Sequence, residues 1–426
     1  MKKTKEIALV LALFIFTIPL QAAAQGQDQS TYKSLETFAD IMTLLEKNYV
    51  EDINSQKLIQ GAIKGMLSSL DPHSSYMTAE NFRDLQVETK GSFNGIGIEV
   101  TIKDGILSVV SPIEGTPAFE QGIKAGDRII KIGDNYTKNM GMMEAIKLLR
   151  GKRGTKVTLS IYRVGWTEMR QYTLERNIIP LHSVKSKILS PGYAYIRITN
   201  FQSKTTIDTL NALQKLNKEI PLKGLILDLR NNPGGLLEQA VGIVDIFQDK
   251  GVIVSTRGRL ANQTIEYAAH AGGPKYSFPM VVLVNEGSAS ASEIVAGALQ
   301  DDKRALILGV QTFGKGSVQT VFPLNNGDGL RLTTARYYTP NGRSIQAEGI
   351  TPDFIVPLQS SAKFQGNSGN LPKFIREKDL KHHMKNEDKK EKGKKGDKAI
   401  LPKINGDNQL NAALMLLRGI NVLHYK

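Results

Sequence analysis

The sequence predicts an α/β protein of several domains with helical segments at both ends. Its 426 residues are too many for one ordinary domain, and 41% of them are hydrophobic, which is enough for each domain to bury a core. After Pro180, strand-like apolar runs alternate with stretches at helical spacing, which indicates a largely parallel sheet covered on both faces. The absence of cysteine excludes disulfides, thiolate metal sites and a cysteine nucleophile.

The net charge of +14 raises the question of an anionic partner. Residues 361–400 contain 12 Lys and Arg against 6 Asp and Glu, in a stretch with little hydrophobic periodicity. A nucleic-acid-binding tail needs aromatic side chains as stacking platforms, and residues 381–398 contain none. We therefore interpret 361–400 as a solvated lysine-rich linker and expect no nucleic-acid partner.

The first 24 residues have the pattern of an export signal. Three lysines precede an apolar run over 7–20, and small residues follow at 22–24. This order of charge, apolar run and cleavable small residues is typical of a signal peptide. The run is short for a membrane span of about 20 residues, so we expect an exported protein of the periplasm or cell envelope, or one that is secreted.

The remaining chain divides where the periodicity changes. Residues 25–88 have apolar side chains at helical spacing, interrupted by a turn at 71–75. Alternation typical of strands marks 89–170, and strands then alternate with helices over 171–360. Beyond the linker, 401–426 contain a last amphipathic helix that we expect to pack on the body of the protein or on another subunit.

The region 89–170 resembles a PDZ domain. Four segments carry the resemblance in order: Gly95-Ile96-Gly97-Ile98, Gly115–Ala118, Gly122–Asp127 and Ile129–Ile132. A PDZ domain adds a peptide's C-terminal tail to a sheet edge as a strand and holds the terminal carboxylate on backbone N–H groups. The resemblance makes Gly95, Ile96, Gly97 and Ile98 the candidate substrate-binding residues.

Two turns after strand-like runs are candidates for chemistry. The turns 230–235 and 285–292 follow the runs 224–229 and 280–284, and ligands of parallel sheets lie at such strand ends. Ser288, Ser290 and Ser292 are candidate nucleophiles at a helix N-terminus, where they could equally be capping residues. Lys315, flanked by glycines, is a candidate base if burial keeps it neutral. Gln319, four residues on, would lie on the same face of a helix or a strand and could orient its amine.

These motifs together resemble the carboxyl-terminal processing, or tail-specific, serine peptidases. The matching segments cover most of the chain after the export signal: 70–76, the PDZ region, 228–235, 284–301, 312–316, Gln319 and 338–346. The resemblance implies a crotonase/ClpP-like α/β peptidase core with an inserted PDZ domain and N- and C-terminal helical segments. It assigns Ser290 as nucleophile, Lys315 as base and Gln319 as the supporting residue.

The same resemblance implies an oxyanion hole made by the N–H of Ala291 and one from the glycine turn, Gly234 or Gly235. No metal or organic cofactor is expected. The expected partners are protein substrates with free apolar C-termini, and the terminal helices are candidate surfaces for an adaptor protein or for homo-oligomerisation.

We therefore expect an exported serine endopeptidase that selects the C-terminal tail of its substrates through the PDZ domain. The main alternative is a non-catalytic PDZ-bearing adaptor of the cell envelope. A crotonase-type acyl-thioester enzyme has a similar core, but an export signal and a PDZ domain do not suit a cytoplasmic acyl-CoA substrate. A histidine-dependent serine hydrolase is a third alternative, although none of the six histidines lies in a distinctive motif.

Overall fold

A computed structural model of the chain describes residues 22–103, 105–272, 276–358, 375–386 and 406–424. Residues 1–21 of the predicted export signal lie outside these ranges, as do the parts 361–374 and 387–400 of the predicted linker. Within the described ranges, no helix combines the length and apolarity needed to cross a membrane. The chain forms two compact units that divide after Ser69.

The first unit contains the two predicted N-terminal helices, α1 (Ala22–Asn48) and α2 (Ser55–Ser68). The side chain of Asn54 caps α2 by accepting a hydrogen bond from the N–H of Lys57 (3.0 Å). Large apolar side chains remain exposed along both helices, among them Leu44 (60%) and Met66 (62%). These helices therefore bury little of their apolar surface within their own unit.

The second unit begins with a turn, a short strand β1 (Ser75–Met77) and helix α3 (Ala79–Lys90). The carboxylate of Asp71 shapes the turn by accepting the N–H groups of His73 and Ser74, each at 2.8 Å. Helix α3 begins after Thr78, whose side chain caps it by accepting the N–H of Asn81. The predicted break at 71–75 is thus a carboxylate-stabilised turn.

The region predicted as a PDZ domain is a small antiparallel sheet with two helices. Its first and last strands, β2 and β9, pair with each other as a separate antiparallel ribbon. Its elements are β2 (Ser92–Gly95), β3 (Ile98–Lys103), β4 (Ile106–Pro112), α4 (Pro117–Glu120), β5 (Arg128–Ile132), β6 (Asn135–Tyr136), α5 (Met142–Leu149), β7 (Lys156–Tyr162), β8 (Arg170–Glu175) and β9 (Asn177–Pro180). The strand order β3-β4-β5-β7-β8 leaves β3 at one edge. Ile129, Leu159 and Ile161 are fully buried at its centre.

The rest of the unit contains two further sheets. Its strands are β10 (Val184–Ser190), β11 (Tyr193–Ile198), β12 (Gly224–Asp228), β13 (Val252–Gly258), β14 (Ile265–Ala268), β15 (Met280–Val284), β16 (Leu306–Gly309), β17 (Ser317–Pro323), β18 (Gly329–Tyr338) and β19 (Phe354–Ile355). The main sheet has the order β10-β11-β12-β15-β16-β19, and all its neighbours after the β10–β11 hairpin are parallel. The second sheet has the order β1-β18-β13-β14, with β17 also paired to β18.

Helices cover both faces of the main sheet, as the alternation of strands and helices predicted. Their bounds are α6 (Thr205–Glu219), α7 (Leu237–Asp245), α8 (Ala291–Asp301) and α9 (Asn408–His424). Successive side chains of a strand point to opposite faces. Accordingly, Leu225 and Leu227 pack in the cluster with helices α6, α7 and α8, whereas Ile226 packs with Ala413 and Leu417 of α9.

A buried ion network fixes the start of α9 to the end of β12. The guanidinium of Arg230 donates to both carboxylate oxygens of Asp228 (2.9 and 2.7 Å) and of Asp407 (2.9 and 2.7 Å), and to Gln409 (2.9 Å). Asp228 is fully buried, and Tyr195 also donates to it at 2.8 Å. The last helix therefore packs on the body of the protein, beside the turn that follows β12.

Candidate active site

The two turns that the sequence singled out meet at one edge of the main sheet. They follow β12 and β15, which are parallel neighbours. The N–H of Ala289 donates to the carbonyl of Asn232 (3.0 Å), and the hydroxyl of Ser292 donates to the same carbonyl (2.9 Å). The turns 230–235 and 285–290 thus form one hydrogen-bonded surface at the carboxyl ends of the strands.

The structure distinguishes the three candidate serines. Ser288 and Ser292 are fully buried, and their hydroxyls donate to the carbonyls of Leu229 (2.8 Å) and Asn232 (2.9 Å). Both hydroxyls hold the two turns together. Ser290 is the residue immediately before α8, and its backbone φ is +55°.

The conformation of Ser290 is strained. A positive φ is uncommon for a residue other than glycine, and such backbone strain costs about 1–3 kcal/mol. Strain of this kind concentrates at functional sites, and a sharp strand-to-helix turn is the setting in which several hydrolases hold a nucleophilic serine. The N–H of Ala291, the first residue of α8, has no intrahelical carbonyl to bond.

The glycine turn packs closely against Ser290. At Gly234, where φ is +107°, a Cβ atom would lie 2.9 Å from the Cβ of Ser290 and 3.0 Å from the nitrogen of Ala291. At Gly235, a Cβ would lie 2.2 Å from the carbonyl oxygen of Phe201. A side chain at Gly234 would therefore collide with Ser290 and Ala291, and one at Gly235 would collide with Phe201.

Lys315 lies in the loop that joins β16 to β17. Burial lowers the pKa of Lys315 below that of an ordinary lysine, and the nearby positive charge of Arg331 lowers it further. The carboxylates of Glu377, Glu293 and Asp71 act in the opposite direction. The net effect is a lowered pKa, so the Lys315 amine becomes neutral at a lower pH than the amine of an exposed lysine.

Gln319 lies on β17, two residues after its start and directly after a β-bulge. Its amide nitrogen donates to the hydroxyls of Ser317 (2.8 Å) and Thr333 (3.4 Å), and Thr333 donates to Asp71 (3.1 Å). The four-residue spacing placed Lys315 and Gln319 on one face of a regular element. That detail was wrong, because Lys315 precedes the strand and the bulge breaks the alternation.

Sequence reasoning missed Glu293, which joins the two halves of the site. Its carboxylate is fully buried and accepts the N–H groups of Ser290 (2.8 Å), Gly314 (2.7 Å) and Lys315 (2.9 Å) and the hydroxyl of Thr312 (2.5 Å). Burial raises the pKa of Glu293 to about 7 against the effect of these donors. The sequence contains one signal that could have identified Glu293: Ser290 and Glu293 have the Ser-x-x-Glu spacing of a helix capping box.

The four candidate residues of the PDZ region lie at the start of its edge strand. Gly95 ends β2 and Ile98 begins β3. Ile96 is 2% exposed and packs in the core of this domain, and its carbonyl accepts the N–H of Ala118 (3.0 Å). Gly97, between them, has a φ of +80°.

Two of the histidines have acidic partners. His73 contacts Glu377 (2.7 Å), and His270 contacts Asp245 (3.3 Å) at the surface. In the part of the chain that the structure describes, no group of three or more His, Asp or Glu side chains could hold a metal ion.

Comparison with known proteins gives family matches for the N-terminal, PDZ and peptidase regions of the chain. The family model described as peptidase family S41 matches residues 192–356, a PDZ domain model matches 94–173, and the model of the activating protease CtpB N-terminal domain matches 17–81. The carboxy-terminal-processing protease of Bartonella bacilliformis is 45% identical over 422 residues, which cover 97% of this chain and 96% of that protein. This chain belongs to the carboxy-terminal processing protease family.

Further relatives carry the same description. The carboxy-terminal processing protease CtpA of Bacillus subtilis is 38% identical over 84% of this chain and 77% of its own length. The solved photosystem II D1 C-terminal processing protease is 32% identical, covers 75% of this chain and 92% of its own, and has a TM-score of 0.44. The predicted family is confirmed, and so is the fold class with its peptidase core and PDZ domain. The chain is a serine peptidase of family S41.

We predict that Glu293→Gln lowers peptidase activity about 10²-fold, because a misplaced catalytic group costs about this much. The amide would turn an NH2 group towards backbone N–H donors, and each donor left unpaired costs about 1–3 kcal/mol of stability. Cleavage of an unfolded protein reporter and the thermal unfolding midpoint test this. Glu348→Gln, at an exposed carboxylate, is the control. A folded Glu293→Gln protein with wild-type activity would contradict the prediction.

Proposed function

We propose that this protein is an exported serine endopeptidase that recognises the C-terminal tails of protein substrates through its PDZ domain. Ser290 would act as nucleophile and Lys315 as base, with Gln319 in support. The observation that carries this proposal is the Glu293 carboxylate, which accepts the N–H groups of both Ser290 and Lys315. One buried group thereby fixes the backbone of the proposed nucleophile and of the proposed base.

The reaction would begin with transfer of the Ser290 Oγ proton to the neutral Nζ of Lys315. The oxygen attacks the scissile carbonyl, and Lys315 then gives the proton to the leaving amine. Water hydrolyses the acyl-enzyme with Lys315 again as base. Gln319 donates to Ser317 on β17 and to Thr333 on β18 and so stabilises this hairpin. Through the hairpin it would restrict the positions that the Lys315 amine can adopt.

The developing oxyanion would lie between the first turn of α8 and the glycine turn. The N–H of Ala291 is the first donor of the helix, where the partial positive charge of the helix end also stabilises an anion. The N–H of Gly234 already donates to the side chain of Asn232 (2.9 Å). We therefore propose the next N–H, that of Gly235, as the second donor. Gly234 contributes by lacking a side chain, which lets the turn fit against Ser290.

Substrate tails would bind along β3 of the PDZ domain. This strand lies at the edge of its sheet, and an edge offers unpaired backbone groups to an added strand. Gly95, Ile96, Gly97 and Ile98 precede or begin it, which suits a loop that presents backbone N–H groups to a terminal carboxylate. We propose in addition that this domain prefers apolar tails.

Export and domain organisation belong to the same proposal. We assign 1–24 to the signal peptide, 25–88 to the N-terminal helical region, 89–170 to the PDZ domain, 171–360 to the peptidase core and 401–426 to the C-terminal helix. We assign 361–400 to a linker, of which the part 375–386 packs on the core. The exposed apolar side chains of α1 and α2 support these helices as a surface for homo-oligomerisation or an adaptor protein. Neither metal nor organic cofactor enters the proposed reaction.

We predict that Ser290→Ala and Lys315→Ala each lower cleavage of an unfolded reporter with an apolar C-terminal tail by about 10⁴-fold or more, as in other nucleophile–base pairs. Lys250→Ala, at an exposed lysine, should cleave like the wild type, and a reporter with a charged tail should be cut more slowly. An active Lys315→Ala protein would contradict the assignment of the base. Tail binding without cleavage by the wild type, even with a candidate adaptor present, would favour the non-catalytic adaptor.

We predict that Gly97→Ala weakens binding of an apolar-tailed peptide at least about tenfold, which corresponds to 1.4 kcal/mol. Its Cβ would lie 2.2 Å from the hydroxyl oxygen of Thr116, so the loop before β3 must move. Gly154→Ala is a matched control, because Gly154 has a similar φ (+84°) but no atom within 4 Å of an added Cβ. Fluorescence anisotropy on the Ser290→Ala background measures both, and equal affinities of the two variants would contradict the assigned loop.

A further inference from the structure

Residues 375–386 pack against the loop that carries Lys315, although they lie inside the lysine-rich stretch. Arg376 donates to the side chain of Gln311 (2.7 Å), and the N–H of Glu377 donates to the carbonyl of Phe313 (3.3 Å). Further along, the carbonyl of Met384 accepts the amide of Gln346 (3.3 Å). This part of the stretch therefore packs as part of the peptidase core.

The centre of this contact is the side chain of Glu377, which is fully buried. Burying a carboxylate is costly unless it is paired and hydrogen-bonded. His73 Nε2 lies 2.7 and 2.9 Å from the two carboxylate oxygens, and the amide of Gln346 donates to one of them (2.9 Å). All these partners come from elements that surround the Lys315 loop.

Glu377 holds this loop on both sides of Lys315. Its N–H binds Phe313, two residues before the lysine. Its carboxylate orients the amide of Gln346, whose oxygen accepts the N–H of Gly316 (3.0 Å), one residue after the lysine. Gln346 is itself fully buried, so this connection is shielded from solvent.

Glu377 also contributes charge to the surroundings of Lys315. Burial and Arg331 lower the pKa of Lys315, and Glu377 is the strongest of the three carboxylates that raise it, ahead of Glu293 and Asp71. Arg331 donates to the carbonyl of His73 (3.2 Å), so the opposing charges occupy one network. The titratable groups around the amine are thus three carboxylates, one arginine and the histidine paired with Glu377.

We propose that Glu377 is a positioning residue of the peptidase site, which holds the Lys315 loop in its active arrangement from the segment 375–386. This inference rests on the proposed function, because it requires Lys315 to be the base. It assigns part of the apparent linker to the active site. Loss of Glu377 should therefore reduce the chemical step more than substrate binding, which depends on the PDZ domain.

The test compares Glu377→Ala, Glu377→Gln, Arg331→Gln, Lys315→Ala and the wild type as full-length proteins, with the apolar-tailed reporter as substrate. Measurements of kcat and KM across pH, with thermal unfolding midpoints, separate positioning from folding. We expect Glu377→Ala to lower kcat about 10²-fold with little change in KM. Lys378→Ala, at the exposed neighbouring residue, should behave like the wild type.

The pH profile provides a readout that a purely structural role would not change. Lys315 must be neutral to act, so activity rises with pH through its pKa. Glu377→Gln keeps the size and a hydrogen-bonding oxygen but removes the negative charge, so the acid limb of kcat/KM should move to lower pH. Arg331→Gln removes the opposing charge and should move the same limb to higher pH.

Two results would overturn the role of Glu377 while leaving the proposed function intact. One is a folded Glu377→Ala protein with wild-type kcat beside an inactive Lys315→Ala protein. The other is a Glu377→Gln protein whose acid limb coincides with that of the wild type, and this result decides the matter if Glu377→Ala does not fold. An active Lys315→Ala protein would instead contradict the proposed function and the positioning role together.

Discussion

A buried carboxylate, that of Glu293, determines the geometry of the candidate active site. It accepts the backbone N–H groups of Ser290 and Lys315 and the N–H of Gly314. Without this carboxylate its buried N–H donors would be left unpaired, at a cost of about 1–3 kcal/mol each. The strained φ of Ser290 persists because this acceptor and the start of α8 define the position of its N–H group.

Two segments late in the sequence complete the surroundings of this site. Asp407 and Gln409, at the start of α9, bind Arg230 at the turn after β12. On the other side, Glu377 contacts His73 and the neighbours of Lys315. Removing one partner of a buried polar contact leaves the other without its hydrogen bond, which is destabilising, so both segments couple the stability of the C-terminal region to the shape of the site.

Local sequence patterns were sufficient to predict the elements that position the site. The strand Met280–Val284 has the predicted bounds, and the strand Gly224–Asp228 ends one residue before the predicted run 224–229 does, because hydrophobic periodicity reports directly on which side chains are buried. The parallel order of the strands followed from their alternation with helices. That order predicts that the turns carrying Ser290 and Gly234 lie at one edge of the sheet.

Contacts between residues distant in the sequence were not predictable in the same way. Glu377 lies in a stretch whose composition indicates a linker, and its partner His73 is 304 residues away. Periodicity gives no information about such a pair. Prediction from local spacing also fails at Gln319. A single β-bulge before this residue changes the face on which its side chain lies, and the sequence gives no sign of the bulge.

The proposed reaction requires the amine of Lys315 to be neutral, and therefore its pKa to be lower than that of an ordinary lysine. Its titration can be measured directly by labelling the full-length protein with trace acetic anhydride at a series of pH values and quantifying acetylated Lys315 by mass spectrometry. The account predicts a midpoint below that of exposed Lys250 in the same sample, because burial and Arg331 disfavour the ammonium form. A midpoint equal to or above that of Lys250 would contradict it.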